Sequence, residues 1–116
     1  MITTHVLDTA RGLPAVGVKI EIYHVKFDGT MELLKSSETN KDGRSPKPLV
    51  DRDELQAGVY QITFFIGRYF ESTRSNENTS VFLDQVPVRF TVSNTSSHYH
   101  VPLLASPYGY TTYRGS

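Results

Sequence analysis

Apolar and polar residues alternate with a period of two along most of this chain. Val16-Gly17-Val18-Lys19-Ile20-Glu21-Ile22-Tyr23 sets valine and isoleucine against lysine and glutamate, the mark of a strand with one buried face. Val59-Tyr60-Gln61-Ile62-Thr63-Phe64-Phe65-Ile66 predicts a second strand, rich in β-branched and aromatic residues. Val86-Pro87-Val88-Arg89-Phe90-Thr91-Val92 predicts a third, and Pro87, which lacks an amide hydrogen, belongs at a strand start or a sheet edge. His98 to Leu104 and Tyr108 to Tyr113 predict a fourth and fifth, joined through Ser106-Pro107; Ile2 to Leu7 and Leu33 to Ser37 are shorter candidates.

Turn signals separate these runs at Arg11-Gly12-Leu13-Pro14, Asp28-Gly29, Lys41-Asp42-Gly43, Ala57-Gly58 and Ser93-Asn94. Their frequent spacing predicts an all-β fold, an antiparallel sandwich, with residues 1–116 as a single domain. Helical periodicity is confined to a short turn near Arg68 to Thr73, followed by the polar loop Ser75-Asn76-Glu77-Asn78-Thr79-Ser80.

Because strand side chains alternate faces, the pattern also orients the polar residues. In the fourth strand Tyr99, Val101 and Leu103 form the apolar set expected inside, which leaves His98 and His100 on the face away from the core. Thr3, His5 and Leu7 share one face of the first strand. In the last strand Tyr113 and Gly115 share a face opposite Thr112 and Arg114.

Composition narrows the function classes. Lys plus Arg equals Asp plus Glu at 12 each, and the calculated pI is 6.9, so no basic field points to nucleic acid. Cysteine is absent, which removes disulfides and thiolate metal sites. No apolar run approaches the roughly 18 residues of a membrane span. Met1-Ile2-Thr3-Thr4-His5 has neither the basic start nor the apolar stretch of a secretion signal. The expected location is cytoplasmic, or peroxisomal or periplasmic if a targeting segment has been removed.

The candidate chemistry lies in imidazoles and one guanidinium. With an ordinary pKa of about 6.5, histidine is the side chain best suited to proton transfer near neutrality. His5 and His100 lie on solvent-side strand faces; His98 shares the face of His100 and could orient it or line a cleft mouth. His24, at the end of an alternating run, reads as structural or exposed. Arg44 follows the turn signal Asp42-Gly43, and a fixed guanidinium there would suit a carboxylate or a developing oxyanion. Asp51 and Asp53 sit in a charged loop and read as solvated. His98 and His100 form an HxH pair of the kind that binds zinc, but without cysteine or a nearby acidic third ligand no metal or other cofactor is expected. A Gly-rich phosphate loop and a GxSxG elbow are both absent.

Taken together, His5-Val6-Leu7-Asp8, Gly12-Leu13-Pro14-Ala15, Asp42-Gly43-Arg44, His98-Tyr99-His100-Val101-Pro102-Leu103-Leu104, Ser106-Pro107 and Tyr113-Arg114-Gly115-Ser116 resemble the transthyretin-related family, in its hydroxyisourate hydrolase branch. The resemblance covers essentially the whole chain. Its most specific part is Tyr113-Arg114-Gly115-Ser116, which the hormone-carrying transthyretins lack. It departs from the family at Val81-Phe82-Leu83-Asp84, where a more aromatic, proline-containing stretch is common.

The resemblance implies a transthyretin-like β-sandwich of seven to eight strands with one short helix. It implies a homotetramer, a dimer of dimers, whose active sites open into a channel between subunits. It also implies hydrolysis of the small molecule 5-hydroxyisourate at a ring amide, giving 2-oxo-4-hydroxy-4-carboxy-5-ureidoimidazoline in urate breakdown. By the same resemblance His5, Arg44 and His100 are catalytic. The resemblance also implies that Tyr113 and Ser116 touch substrate, with His98 and Arg114 beside them. The alternative is a transthyretin-like carrier of a small ligand without catalysis.

Overall fold

In the computed structural model of the chain, residues 1–74 and 81–116 are described. The polar stretch Ser75–Ser80, expected as a loop, lies outside the described residues. In chain order the strands are β1 Ile2–Asp8, β2 Leu13–Pro14, β3 Lys19–Val25, β4 Met31–Glu38 and β5 Gly58–Phe64, then helix α1 Ile66–Thr73, then β6 Val86–Val92, β7 Tyr99–Ser106 and β8 Gly109–Thr112. They form two four-stranded sheets, ordered β2-β1-β7-β8 and β4-β3-β5-β6.

This is the sandwich that the alternating pattern predicts, with the eight strands and one short α-helix that the resemblance implies. The two inner faces supply the core, with Ile2 and Val6 from β1, Ile20 and Ile22 from β3, Ile62 and Phe64 from β5, and Leu103 from β7 all essentially inaccessible to water. The polar members of the inward rows are satisfied. Thr4 Oγ1 donates to the Val101 carbonyl at 2.6 Å. Asp8, 1% exposed, accepts the amides of Ala10 and Arg11 and the Tyr69 hydroxyl, the last at 2.7 Å. That last bond ties α1 to the end of β1. Burial, and then the bond to Asp8, push the Tyr69 phenol up to about 12.

Several expectations shift in detail. Val16 is 53% exposed despite fitting the alternation, because Val16 and Gly17 form a turn and the strand begins at Lys19. The helix starts two residues earlier than its periodicity suggests, with Ile66, Gly67, Tyr69 and Phe70 on its buried face. β4 is longer than expected and carries a bulge opposite Ile22/Tyr23. Leu13-Pro14, read as part of a turn, pairs briefly with β1. Pro87 sits in β6, which is a sheet edge, as its missing donor requires.

Within the antiparallel framework, one pairing is parallel. β1 runs alongside β7 in the register Thr3↔His100 and His5↔Pro102. This pairing brings the two ends of the described chain together and sets the position of the site.

Candidate active site

The site begins with this register. Thr3 and His100 are direct neighbours across it, and His5 lies one pleat further along the same outer face. Thr3 Oγ1 lies 2.7 Å from His100 Nδ1 and 2.7 Å from His98 Nε2. His100 Nε2 in turn lies 2.7 Å from His5 Nδ1, with the two rings 4.8 Å apart and tilted by 31°. One unbroken row of short hydrogen bonds therefore joins His5, His100 and His98.

Arg44 arrives through a tight turn. The side chain of Asn40 accepts the amides of Asp42 and Arg44, and the Asn40 amide donates to the Arg44 carbonyl at 2.8 Å. Gly43 has φ of +73°, and a Cβ there would meet the Val6 carbonyl at 2.6 Å, so only glycine lets the turn lie this close to β1. The Val6 amide donates to the Gly43 carbonyl, and Arg44 forms an isolated bridge to His5.

Tyr113–Ser116 closes the other side. The Gly115 amide donates to the His100 carbonyl at 2.7 Å, and a Cβ on Gly115 would come within 2.7 Å of His100 Cδ2. The segment thus lies flat against the imidazole, leaving His100 only 8% exposed. The result is a cleft of about 480 Å³ lined by His5, Arg44, His98, His100, Tyr113 and Ser116, with Lys47 and its flanking prolines along one wall.

Electrostatics favour neutral imidazoles here. Burial, followed by the Arg44 guanidinium, lowers the pKa of His5. Burial, then His5, Arg44 and His98, bring His100 down to about 4. Both rings are uncharged at neutral pH, so each donates through one nitrogen and accepts through the other. His100 has both nitrogens engaged. His5 has only Nδ1 bonded to a described protein group, so its Nε2 is available to a molecule in the cleft. Among the described residues, no group of three or more histidines, aspartates or glutamates is arranged to hold a metal ion.

Six of the seven residues singled out in the sequence thus line one cleft. Arg114 does not. Its guanidinium lies over the Tyr99 ring at 4.3 Å, and Nη2 approaches the His98 carbonyl at 3.4 Å, on the face opposite Tyr113 that strand alternation gave it. Thr3 is the residue the sequence reading passed over; its place two residues before His5, on the same face, was the available signal. His24 stands in β3 against Tyr60, with ring centroids 5.3 Å apart.

Fold and site together define a transthyretin-like sandwich whose outer face carries a histidine–arginine cluster. The profile of the HIUase/Transthyretin family matches residues 2–115, and the chain belongs to that family. It is 48% identical over 115 residues to 5-hydroxyisourate hydrolase 2 of Rhizobium meliloti (strain 1021), covering 99% of this chain and 95% of the relative. It is 48% identical, with the same coverage, to the 5-hydroxyisourate hydrolase of Deinococcus radiodurans, and 46% identical to that of Halalkalibacterium halodurans, covering 99% of this chain and 97% of the relative. Among solved structures it is similar to (S)-allantoin synthase, with a TM-score of 0.89 and 41% identity over 99% of this chain; the match spans 43% of that longer chain.

Proposed function

We propose that this chain is an enzyme that hydrolyses 5-hydroxyisourate to 2-oxo-4-hydroxy-4-carboxy-5-ureidoimidazoline, with residues 1–116 acting as one transthyretin-like domain. Full-length relatives bearing that activity in their names support the reading, and the carrier alternative has no comparable support. The observation that carries it is the 2.7 Å contact between His5 and His100 in a cleft shared with Arg44. A ligand carrier has no need of a neutral imidazole pair held by hydrogen bonds beside a guanidinium.

Hydrolysis of a ring amide requires a base for water, a positive group for the developing oxyanion and a proton for the departing nitrogen. His5 is the base, because its Nε2 is the imidazole nitrogen free to meet water. His100 fixes the tautomer of His5 by accepting from its Nδ1. Arg44 holds the ring oxygen on which charge develops. Tyr113 and Ser116 position the substrate at the rim, and Arg114 acts at one remove, holding the segment down through its contact with Tyr99. Protein groups and water suffice for this scheme.

The experiment is spectroscopic. With 5-hydroxyisourate generated in situ from urate and urate oxidase, the protein accelerates loss of its ultraviolet absorbance, and His100→Ala returns decay to the spontaneous rate. Decay at the spontaneous rate with wild-type protein refutes the reading. We further propose a cytoplasmic homotetramer, a dimer of dimers with clefts opening into a shared channel; gel filtration near four times 13.1 kDa tests it.

A further inference from the structure

The row of hydrogen bonds does not end at His100. Thr3 Oγ1 bridges His100 Nδ1 and His98 Nε2 at 2.7 Å on both sides, and the last bond lies in an exposed region while the first two are partly buried. We propose that Thr3 and His98 extend the His5–His100 pair into a proton relay, in which His98 stores the proton taken from water at the other end. The proposal rests on the reading of His5 as base.

The direction of the bonds follows from their chemistry. A neutral imidazole has one N–H and one lone pair, and a hydroxyl has a single hydrogen. If His5 Nε2 offers its lone pair to water, His5 Nδ1–H must donate to His100 Nε2. His100 Nδ1–H must then donate to Thr3, and Thr3 must donate to His98 Nε2. When His5 Nε2 takes a proton from water, each hydrogen moves one bond along. The water O–H breaks as its oxygen bonds to the carbonyl carbon, and the positive charge appears on His98. When the C–N bond breaks, the departing nitrogen takes a proton from His5 Nε2. The row then runs back and His98 is neutral again, so atoms and charge balance without a further reactant.

The surroundings explain why charge should travel. Arg44 stands beside His5 and opposes a cation on either buried ring. His98 is at the far end. It faces Thr3 and the edge of the His100 ring, and the Arg114 guanidinium meets its backbone carbonyl rather than its imidazole. Moving the charge there separates it from Arg44 by the length of the relay.

Thr3→Val preserves shape but removes the hydroxyl; Thr3→Ser restores it. His98→Gln can still bond to Thr3 but cannot store a proton. In the same absorbance assay, Thr3→Val and His98→Gln lower kcat about 10–100-fold with KM within about twofold, and Thr3→Ser stays within about threefold of wild type. Nitrogen-15 NMR of the imidazoles shows a single His100 tautomer in wild type and Thr3→Ser, lost in Thr3→Val. Either variant keeping kcat within about twofold of wild type, Thr3→Ser falling as far as Thr3→Val, or an unchanged His100 tautomer in Thr3→Val overturns the relay. Inactive wild-type protein overturns the hydrolase reading instead; active wild type with unaffected variants overturns the relay alone.

Discussion

One methyl group on Gly115 tests how closely Tyr113–Ser116 belongs to the site. A Cβ there would lie 2.7 Å from His100 Cδ2 and 3.4 Å from Cγ and from Cβ of the same residue. Carbon atoms prefer about 3.5–4.0 Å, so the closest contact is short by about 1 Å. His100 cannot swing aside freely, because Thr3 and His5 hold its two nitrogens at 2.7 Å each. Either the ring shifts and lengthens the His5–His100 bond beyond hydrogen-bonding distance, or the segment lifts and the Gly115 amide loses the His100 carbonyl. A displacement of about 1 Å at a reacting group costs on the order of 10² in rate. That corresponds to about 2.7 kcal/mol of transition-state stabilisation. Gly115 lies outside the core, so stability should change by about 0.5 kcal/mol or less. Gly115→Ala is therefore expected to melt like wild type while kcat, followed by the absorbance of 5-hydroxyisourate, falls about a hundredfold. Deleting Arg114 to Ser116 should cost at least as much. A Gly115→Ala protein with kcat within about threefold of wild type would refute the claim that this segment and His100 are in working contact.

Other outcomes follow from the same geometry. Arg44→Ala should lower kcat by about 10²–10³, as expected for a lost oxyanion donor, and Arg44→Lys should recover only part of this because an ammonium cannot reproduce the guanidinium fork. Tyr69→Phe removes one of three bonds to the buried Asp8 carboxylate and should destabilise by about 1.5–3 kcal/mol in urea unfolding, with kcat unchanged. The pH dependence has a definite sign. The pKa of His100 is lowered to about 4 in the folded protein, so the unfolded chain binds the extra proton first as pH falls. The stability that His100 contributes is complete above its ordinary value of about 6.5 and is lost as pH falls toward 4, a loss that His100→Gln should blunt in melting curves recorded across that window. His5 is also lowered, by burial and then by Arg44, so the fall in kcat that accompanies its protonation should lie below the ordinary value of about 6.5.

Much of this was legible in the sequence, for local reasons. β6 matches its period-two run from Val86 to Val92, and the inward rows of β1 and β7 match their alternation. The same alternation put His5 and His100 on the outer face and turned Arg114 away from Tyr113; only the motif Tyr-Arg-Gly-Ser drew Arg114 into the site. What was hidden is non-local. Nothing in the sequence marks the parallel pairing of β1 with β7, because strands so far apart share no turn. Without that register Thr3 is an ordinary strand threonine. β4 extends beyond the Leu33–Ser37 run, and its exposed Met31, Leu33 and Leu34 and its bulge leave no clean alternation along it. Spacing alone leaves Arg44 in a turn and only the resemblance assigns it a role; what fixes that turn against β1, Gly43 pressed on the Val6 carbonyl, is a contact that no local pattern shows.

The parallel pairing also bears on how the protein acquires activity. His5 and His100 are separated by 95 positions, and Thr3 and His100 by 97. Closing such a span costs chain entropy that only neighbouring strands already in place can offset, and contacts of long sequence separation slow folding. The β3–β4 hairpin and the β3–β5 and β5–β6 pairings, all of shorter span, can form without it; the imidazole row cannot. During refolding, turnover should therefore reappear no earlier than tyrosine burial in the sandwich, which makes catalysis a reporter of the last long-range closure.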